Sequence, residues 1–298
     1  MRRLCLTLTC TILLFGSRGD AWWPKGHGLL TRAAVNALPD EVPAFFRAGE
    51  TAIGHYALDP DVSKNKGAPF VRKAEFPEHF IDLEYLKGSA LPKYRYEYIP
   101  LCAKLGVRPE KVGFLPYALS EWTHRLAVAF AEHRKWPSSP FIQDKCLVYA
   151  GFIAHYAQDM CQPLHLTIHY NGRANPDGSS SGTGIHQQVD GLIQYLKLTP
   201  EVMARGQKIE PYDDLMEAIF DQIDAGRELI DLVYELEPDL PDLEGEKWTP
   251  VTSVEKFATG RGREATRFTA ALYLTAWKIS EKIALPSWLD RVKVDQTN

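Results

Sequence analysis

The sequence predicts an all-α protein that folds as a single multi-helix domain. Apolar residues recur at helical spacing in several long stretches, and no stretch shows the period-two alternation of a half-buried strand. Neither an internal repeat nor a change of composition marks a linker. A length of 298 residues is enough for one large domain or two small ones. Because no boundary is visible, we expect one domain over residues 22–298.

The N-terminus has the pattern of a secretory signal peptide. Arg2 and Arg3 precede an apolar run over residues 4–15, and small residues follow as far as Ala21. The run is too short to span a membrane, and no later stretch is long and apolar enough. We therefore expect cleavage after Ala21, which makes Trp22 the first residue of a secreted or periplasmic protein without a transmembrane segment. The alternative is a lipoprotein anchored through Cys10.

Charge and cysteine content exclude two broad classes. Removal of residues 1–21 takes Lys plus Arg from 34 to 31 and Asp plus Glu from 38 to 37, which leaves a net charge of −6. Such a chain is not a broad electrostatic binder of nucleic acid, although bound cations would reverse the sign inside an acidic cleft. Cys102, Cys146 and Cys161 remain, so the protein is not a disulfide-built scaffold. Nothing in the sequence predicts an obligate protein partner.

Individual elements follow from periodicity and from helix breakers. Proline and glycine at Pro60, Gly67, Pro69 and Pro77 predict a loop over residues 59–78. Further loops are predicted over residues 171–184 and 237–252. Helices are predicted over residues 28–38, 41–48, 113–135, 142–160, 212–235 and 255–283.

The predicted helix 142–160 carries the first pair of candidate metal ligands. His155 and Asp159 are four residues apart, so they lie on one face of a helix. Pro163 should end the helix and allow the chain to turn at His165. His186 and Asp190 repeat the same spacing at the start of another apolar helix. An imidazole and a carboxylate presented together form half of a site for a divalent metal, so two such pairs predict a metal cluster.

Further candidate ligands lie nearer the N-terminus. His27 follows Trp22 by five residues, and a free α-amine at Trp22 would itself be a usable metal ligand. His79 is followed by Phe80. Asp59 and Asp61 precede it and supply carboxylates.

The order of these residues resembles the zinc-dependent phospholipase C and single-strand-specific zinc nuclease superfamily. That resemblance covers roughly residues 22–195 and is specific as a combination, although no single motif is. It implies an all-α fold of that type with the metal-binding core in residues 22–195. It also implies three zinc ions, whose ligands are an N-terminal Trp and a set of His and Asp side chains. The matching residues are Trp22, His27, Asp59 or Asp61, His79, His155, Asp159, His165, His186 and Asp190.

The resemblance also implies roles for these residues. Asp159 would bridge two zinc ions, one held also by His79, His155 and the upstream Asp, the other by the Trp22 backbone and His27. The third zinc ion would be held by His165, His186 and Asp190. Asp159 and the upstream Asp would be the catalytic carboxylates. Asp59 has the Ala-x-Asp context of several relatives, whereas Asp61 has Lys64 three residues on, so both remain candidates. Phe80 and Lys64 would contact substrate.

Three functions are compatible with these patterns. The leading hypothesis is a secreted zinc phosphodiester hydrolase that cleaves single-stranded nucleic acid or nucleotide phosphoesters. The alternative is a zinc-dependent phospholipase C that acts on a phospholipid headgroup ester. A non-catalytic metal-binding protein is less favoured, because nine ligand groups cannot close three four-coordinate sites, and open positions are typical of catalytic zinc. Imidazole and carboxylate ligands do not by themselves exclude manganese or iron.

Overall fold

A computed structural model describes residues 22–242 and 248–295, and the predicted signal peptide lies outside them. The described residues contain no β-strand, which confirms the all-α prediction. In chain order the α-helices are α1 (Pro24–Asn36), α2 (Ala44–Ala48), α3 (Glu50–Tyr56), α4 (Asp59–Ser63), α5 (Pro69–Glu75), α6 (Arg95–Leu105), α7 (Pro109–Val112), α8 (Leu115–Lys135), α9 (Pro140–Met160), α10 (Ile185–Asp190), α11 (Leu192–Tyr195), α12 (Pro200–Ala204), α13 (Leu215–Arg227), α14 (Ile230–Leu236), α15 (Thr252–Ser280) and α16 (Arg291–Asp295). Short 3₁₀ helices span Phe76–His79, Leu83–Leu86, Pro163–His165 and Glu237–Asp239.

The three longest helices, α8, α9 and α15, pack against one another and form the centre of the molecule. Their contact faces bury large apolar side chains, among them Phe130, Phe268 and Tyr273. Helix α1 packs on α3, α9 and α15. A smaller apolar cluster includes Leu164 and Val189 and supports α10. Burial of these faces provides the main stabilisation, and it fixes α9 between α1, α3 and α8.

The prediction of a loop over residues 59–78 is wrong. This stretch contains α4, α5 and the 3₁₀ helix Phe76–His79. Pro60, Pro69 and Pro77 each stand in the first turn of one of these elements. A proline there does not break a helix, since the first amides have no partner within the helix and the fixed φ suits its start. The prolines therefore begin the helices that they were expected to interrupt.

The predicted helix over residues 212–235 is divided into α13 and α14. At the junction the Glu228 amide still donates to the Asp224 carbonyl, whereas the Leu229 amide donates to Gly226, three residues back. The change from a four-residue to a three-residue hydrogen-bond step divides the helix. The remaining long helices agree with the prediction to within a few residues at their ends.

Cys102, Cys146 and Cys161 are free and buried, as expected of small apolar residues rather than a disulfide framework. No helix in residues 22–242 or 248–295 has the length and apolar character that crossing a membrane requires.

Candidate metal centre

Three groups of histidine and aspartate side chains come together in the described part of the chain. In each group the possible ligand atoms all lie within 4.8 Å of one another. His155 belongs to two of the groups, so the first two adjoin. The groups are His27, His155 and Asp159; Asp61, His79 and His155; and His165, His186 and Asp190.

Helix α9 positions the centre of this arrangement. His155 and Asp159 lie one turn apart on its buried face, and neither is exposed. One turn earlier, Gly151 lets the end of α3 approach the helix, since a Cβ there would lie 2.4 Å from Cβ of Tyr56. This close approach brings the Ala57 carbonyl to 2.8 Å from His155 Nδ1. The backbone at the end of α3 therefore fixes the orientation of the His155 ring.

Four of the five clustered imidazoles direct Nδ1 to a carbonyl oxygen of the backbone or of a side-chain amide. His155 faces Ala57 O, His165 faces His79 O at 2.6 Å, and His186 faces Tyr170 O at 3.1 Å. A carbonyl oxygen can only accept, so each Nδ1 donates and each Nε2 of a neutral ring keeps its lone pair. His27 Nδ1 faces Gln158 Oε1 at 2.7 Å and follows the same rule, because the Gln158 amide nitrogen donates to Thr31.

The Nε2 lone pairs point at other electron-rich atoms. His155 Nε2 is 3.4 Å from Asp159 Oδ2, and His27 Nε2 is 3.6 Å from Asp159 Oδ1. His165 Nε2 and His186 Nε2 are only 3.1 Å apart. Burial lowers the pKa of His155 and His165 well below the usual histidine value, which disfavours a compensating proton. The residues therefore fit divalent cations. An imidazole that binds a metal through one ring nitrogen characteristically donates a hydrogen bond from its other ring N–H to an oxygen, as these Nδ1 atoms do.

The ring of His79 is turned the other way, with Nδ1 toward the cluster and Nε2 toward Glu75. Glu75 was not among the residues predicted from the sequence. His79 Nδ1 is 3.0 Å from Asp159 Oδ2, whereas His79 Nε2 is 3.4 Å from Glu75 Oε1. The Tyr156 hydroxyl donates to the same Glu75 oxygen. Burial raises the pKa of Glu75 to about 7. Glu75 and His79 are four residues apart, as are His155 and Asp159. The pair was not recognised in the sequence, because residues 59–78 were predicted to form a loop.

Of the two upstream aspartates, the structure brings Asp61 to the cluster. Its Oδ1 is 3.5 Å from His155 Nε2 and 3.8 Å from His79 Nδ1. Lys64, which directly follows α4, has its Nζ 2.6 Å from the same oxygen. Asp59 belongs to none of the three groups found in the described residues. Two residues along a helix point in clearly different directions, which explains why only one of them reaches the centre.

The third group is held by the turn after α9. The 3₁₀ helix that starts at Pro163 carries His165 back toward α10, where His186 Nε2 lies 3.2 Å from Asp190 Oδ2. Gln162 is fully buried and donates through Nε2 to Asp190 Oδ1 at 2.8 Å. Its Oε1 accepts from the Leu164 amide at 2.6 Å. Gln162 thus links the turn to a carboxylate of the group.

We expect Gln162→Leu to weaken metal binding at the third group about 10- to 100-fold, as is typical when a partner of a metal ligand is lost. The substitution removes the donor to Asp190 while it preserves approximate size. Metal affinity would be measured by competition with a chromogenic chelator. Gln207→Leu is the control, because Gln207 bonds backbone carbonyls of Met203 and Arg263, outside the groups. Equal affinity in both variants would show that Gln162 does not support the site.

Trp22 begins the described chain beside the cluster. Its side chain is fully buried, and its indole Nε1 donates to the Gln158 carbonyl at 3.2 Å. The Trp23 amide donates to the Asp190 carbonyl at 3.2 Å. Gln158 stands directly before Asp159 on α9. The start of the described chain is therefore bound both to α9 and to α10.

A cleft of about 400 Å³ opens over the second and third groups. His79, His165 and His186 contribute to its wall, and so do Lys64 and Phe80, the two predicted substrate contacts. Phe76 and Phe80 meet edge to face, with ring centroids 6.0 Å apart. The cleft thus combines aromatic rings and a lysine with the clustered imidazoles.

No family model matches the chain, and no curated protein matches it. Among solved structures, the chain is similar to the alpha toxin from Clostridium absonum, with a TM-score of 0.47 and 12% sequence identity. The similarity covers 87% of this chain and 66% of that chain, so this chain spans just under two thirds of the toxin's length. A likeness at this level says nothing about activity, for which the site's own geometry has to be used.

Proposed function

We propose that the clustered side chains hold three zinc ions and that the protein hydrolyses phosphodiesters. The observation that carries this proposal is the set of imidazole Nε2 lone pairs aimed at carboxylates and at each other in a buried centre. Such contacts are repulsive unless a proton or a metal cation lies between the two atoms, and burial disfavours the proton because it lowers the pKa of His155 and His165. The ligand set consists only of imidazole, carboxylate and the Trp22 backbone, which zinc accepts.

The proposed division of ligands follows the three groups. Asp159 would be shared by two of the ions, because its two oxygens face different histidines: Oδ1 faces His27, and Oδ2 faces His79 and His155. Asp61 completes the site of His79 and His155, and we assign it, rather than Asp59, as the upstream ligand and catalytic carboxylate. The Trp22 amine and carbonyl complete the site of His27. His165, His186 and Asp190 hold the third ion.

Zinc bound at such a centre would activate water as a nucleophile near neutral pH and would stabilise charge on the phosphate oxygens. The chain's own residues orient the substrate. Lys64 lies at the wall of the cleft and provides a positive charge beside the bound phosphate. Phe76 and Phe80 provide apolar ring surface for the group attached to that phosphate.

Single-stranded nucleic acid is the first candidate substrate. An unpaired base can stack on an aromatic ring in the cleft, and stacking does not require a strongly basic protein. A phospholipid headgroup ester is the second candidate, which is favoured by the exposed apolar and basic side chains of α5 beside the cleft. Both substrates place a phosphodiester over the same metal centre. The protein acts after export, because the N-terminal ligand is generated by removal of residues 1–21.

The first test is an intact mass and a metal analysis of the secreted protein, expressed with its N-terminal segment. We expect a mass that begins at Trp22 and about three zinc ions per chain. Hydrolysis of bis(p-nitrophenyl) phosphate, single-stranded DNA and phosphatidylcholine micelles would then identify the substrate class. A mass that retains earlier residues, or one metal ion per chain, would contradict the three-zinc proposal. Three zinc ions without turnover of any of these substrates would indicate a non-catalytic metal-binding protein.

A further inference from the structure

The segment from Val62 to Ala74, which includes the end of α4 and most of α5, projects apolar side chains into solvent. Phe70 is 90% exposed, Val62 is 67% exposed and Val71 is 50% exposed. Helix α5 has no buried residue at all. Isolated exposed apolar residues are common on proteins, but three of them on two helices that contact each other form a patch that requires an explanation.

The same segment is basic. Lys66, Arg72 and Lys73 lie within it together with Lys64, which is paired with Asp61 just before the segment. The segment itself contains no acidic residue, although the whole chain has a net charge of −4. Lys66 and Lys73 are exposed. A local concentration of positive charge on an acidic protein attracts a polyanionic surface to this face. The apolar and the basic side chains therefore point to one partner that is both anionic and apolar.

The segment is attached directly to the wall of the cleft. Arg72 donates to the Lys64 carbonyl, and its guanidinium lies over the Phe76 ring, 5.1 Å from the centroid. Phe76 and Lys64 both line the cleft. A partner bound to this segment would thus lie beside the entrance to the metal centre.

We propose that the segment Val62–Ala74 docks onto an anionic phospholipid surface. Amphipathic helices that rest at a membrane interface combine basic residues with exposed aromatic and aliphatic side chains, as this segment does. Nucleic acid explains the patch less well, because bases stack on rings and two of the three exposed apolar residues are valines. Docking goes beyond the proposed hydrolysis and occurs whether or not the cleft hydrolyses the lipid.

Flotation of the secreted, zinc-loaded protein with vesicles tests this proposal. Vesicles of phosphatidylcholine alone would be compared with vesicles that also contain phosphatidylglycerol, at low and high salt. The test variant is Phe70→Asp, and the matched control is Phe141→Asp, which changes a 69% exposed phenylalanine at the opposite end of α9 from His155 and Asp159. Zinc content and hydrolysis of bis(p-nitrophenyl) phosphate would be measured for each protein.

We expect binding to the phosphatidylglycerol vesicles that weakens with salt and that falls about tenfold or more in Phe70→Asp, because the lost apolar transfer is about that of one phenylalanine. Phe141→Asp should bind as the unchanged protein does, and both variants should keep their zinc and their activity on the soluble diester. No vesicle binding, or equal binding by the two variants, would overturn the proposal. Binding of oligo(dT) would be measured as well. If the unchanged protein does not bind vesicles but binds oligo(dT), and Phe70→Asp binds oligo(dT) less, the proposal is overturned in favour of nucleic acid. Inactivity of the unchanged protein on the soluble diester would contradict the proposed hydrolysis alone.

Discussion

Asp159→Asn is expected to abolish the activity of the protein, with a fall in kcat/KM of about a thousandfold or more, because several kcal/mol of metal-dependent transition-state stabilisation are lost. Asp159 is fully buried and lies within 4 Å of four histidines: His27, His79, His155 and His165. The asparagine side chain has nearly the same shape but no charge. Its NH₂ group, which can only donate, replaces one of the two carboxylate oxygens that would accept a metal ion. We also expect the zinc content to fall by at least one ion per chain.

The control for this substitution is Asp144→Asn, on an exposed position of the same helix. It changes charge and residue type identically but lies about four turns along the helix from Asp159. We expect wild-type zinc content and activity from it. Circular dichroism would establish that both variants retain their helices. Asp159→Asn with normal activity and three zinc ions would remove Asp159 from the proposed centre.

A single extra residue before Trp22 is expected to remove one zinc ion and to lower activity about a hundredfold. Loss of a group that supports a metal ligand typically costs about 10- to 100-fold, and loss of a ligand itself should reach the upper end of that range. An extra residue converts the α-amine to an amide, whose nitrogen is not a useful ligand at neutral pH. The Trp22 indole is buried and bound to the Gln158 carbonyl, and Trp23 is bound to the Asp190 carbonyl. The chain start therefore has little freedom to move aside.

The comparison would use two mature proteins, one with an alanine before Trp22 and one with an alanine after Asn298. Both contain the same number of residues, and only the first alters the proposed ligand. Zinc content by plasma mass spectrometry and hydrolysis of bis(p-nitrophenyl) phosphate would be measured. Three zinc ions and full activity in the N-terminally extended protein would show that the Trp22 amine is not a ligand.

Local pattern was sufficient for much of the fold because helical periodicity and helix ends are encoded by nearby residues. The long helices α8, α9 and α15 were predicted from their apolar spacing to within a few residues. The prediction failed where prolines were interpreted as helix breakers. Pro60, Pro69 and Pro77 favour both the start of a helix and its interruption, and which of these occurs depends on the residues that follow.

The same limitation concealed part of the candidate site. Because residues 59–78 were expected to form a loop, Glu75 and His79 were not recognised as neighbours on one helical face. For the same reason the sequence did not show which of Asp59 and Asp61 faces the other candidate ligands. Gln158 was missed for another reason: its amide matters because it contacts His27, 131 positions away in the chain. No local pattern reports such a contact.

The sequence by itself determined the all-α class, the paired spacing of His155 with Asp159 and of His186 with Asp190, and the chemical type of the candidate ligands. These follow from helix geometry and side-chain chemistry, which operate over a few residues. Only the tertiary structure decided that Asp61 rather than Asp59 faces His155, that Gln158 orients His27, and that Phe70 stays in solvent. Those outcomes depend on how α1, α4, α9 and α10 pack together, and packing is set by apolar faces that are distant in sequence.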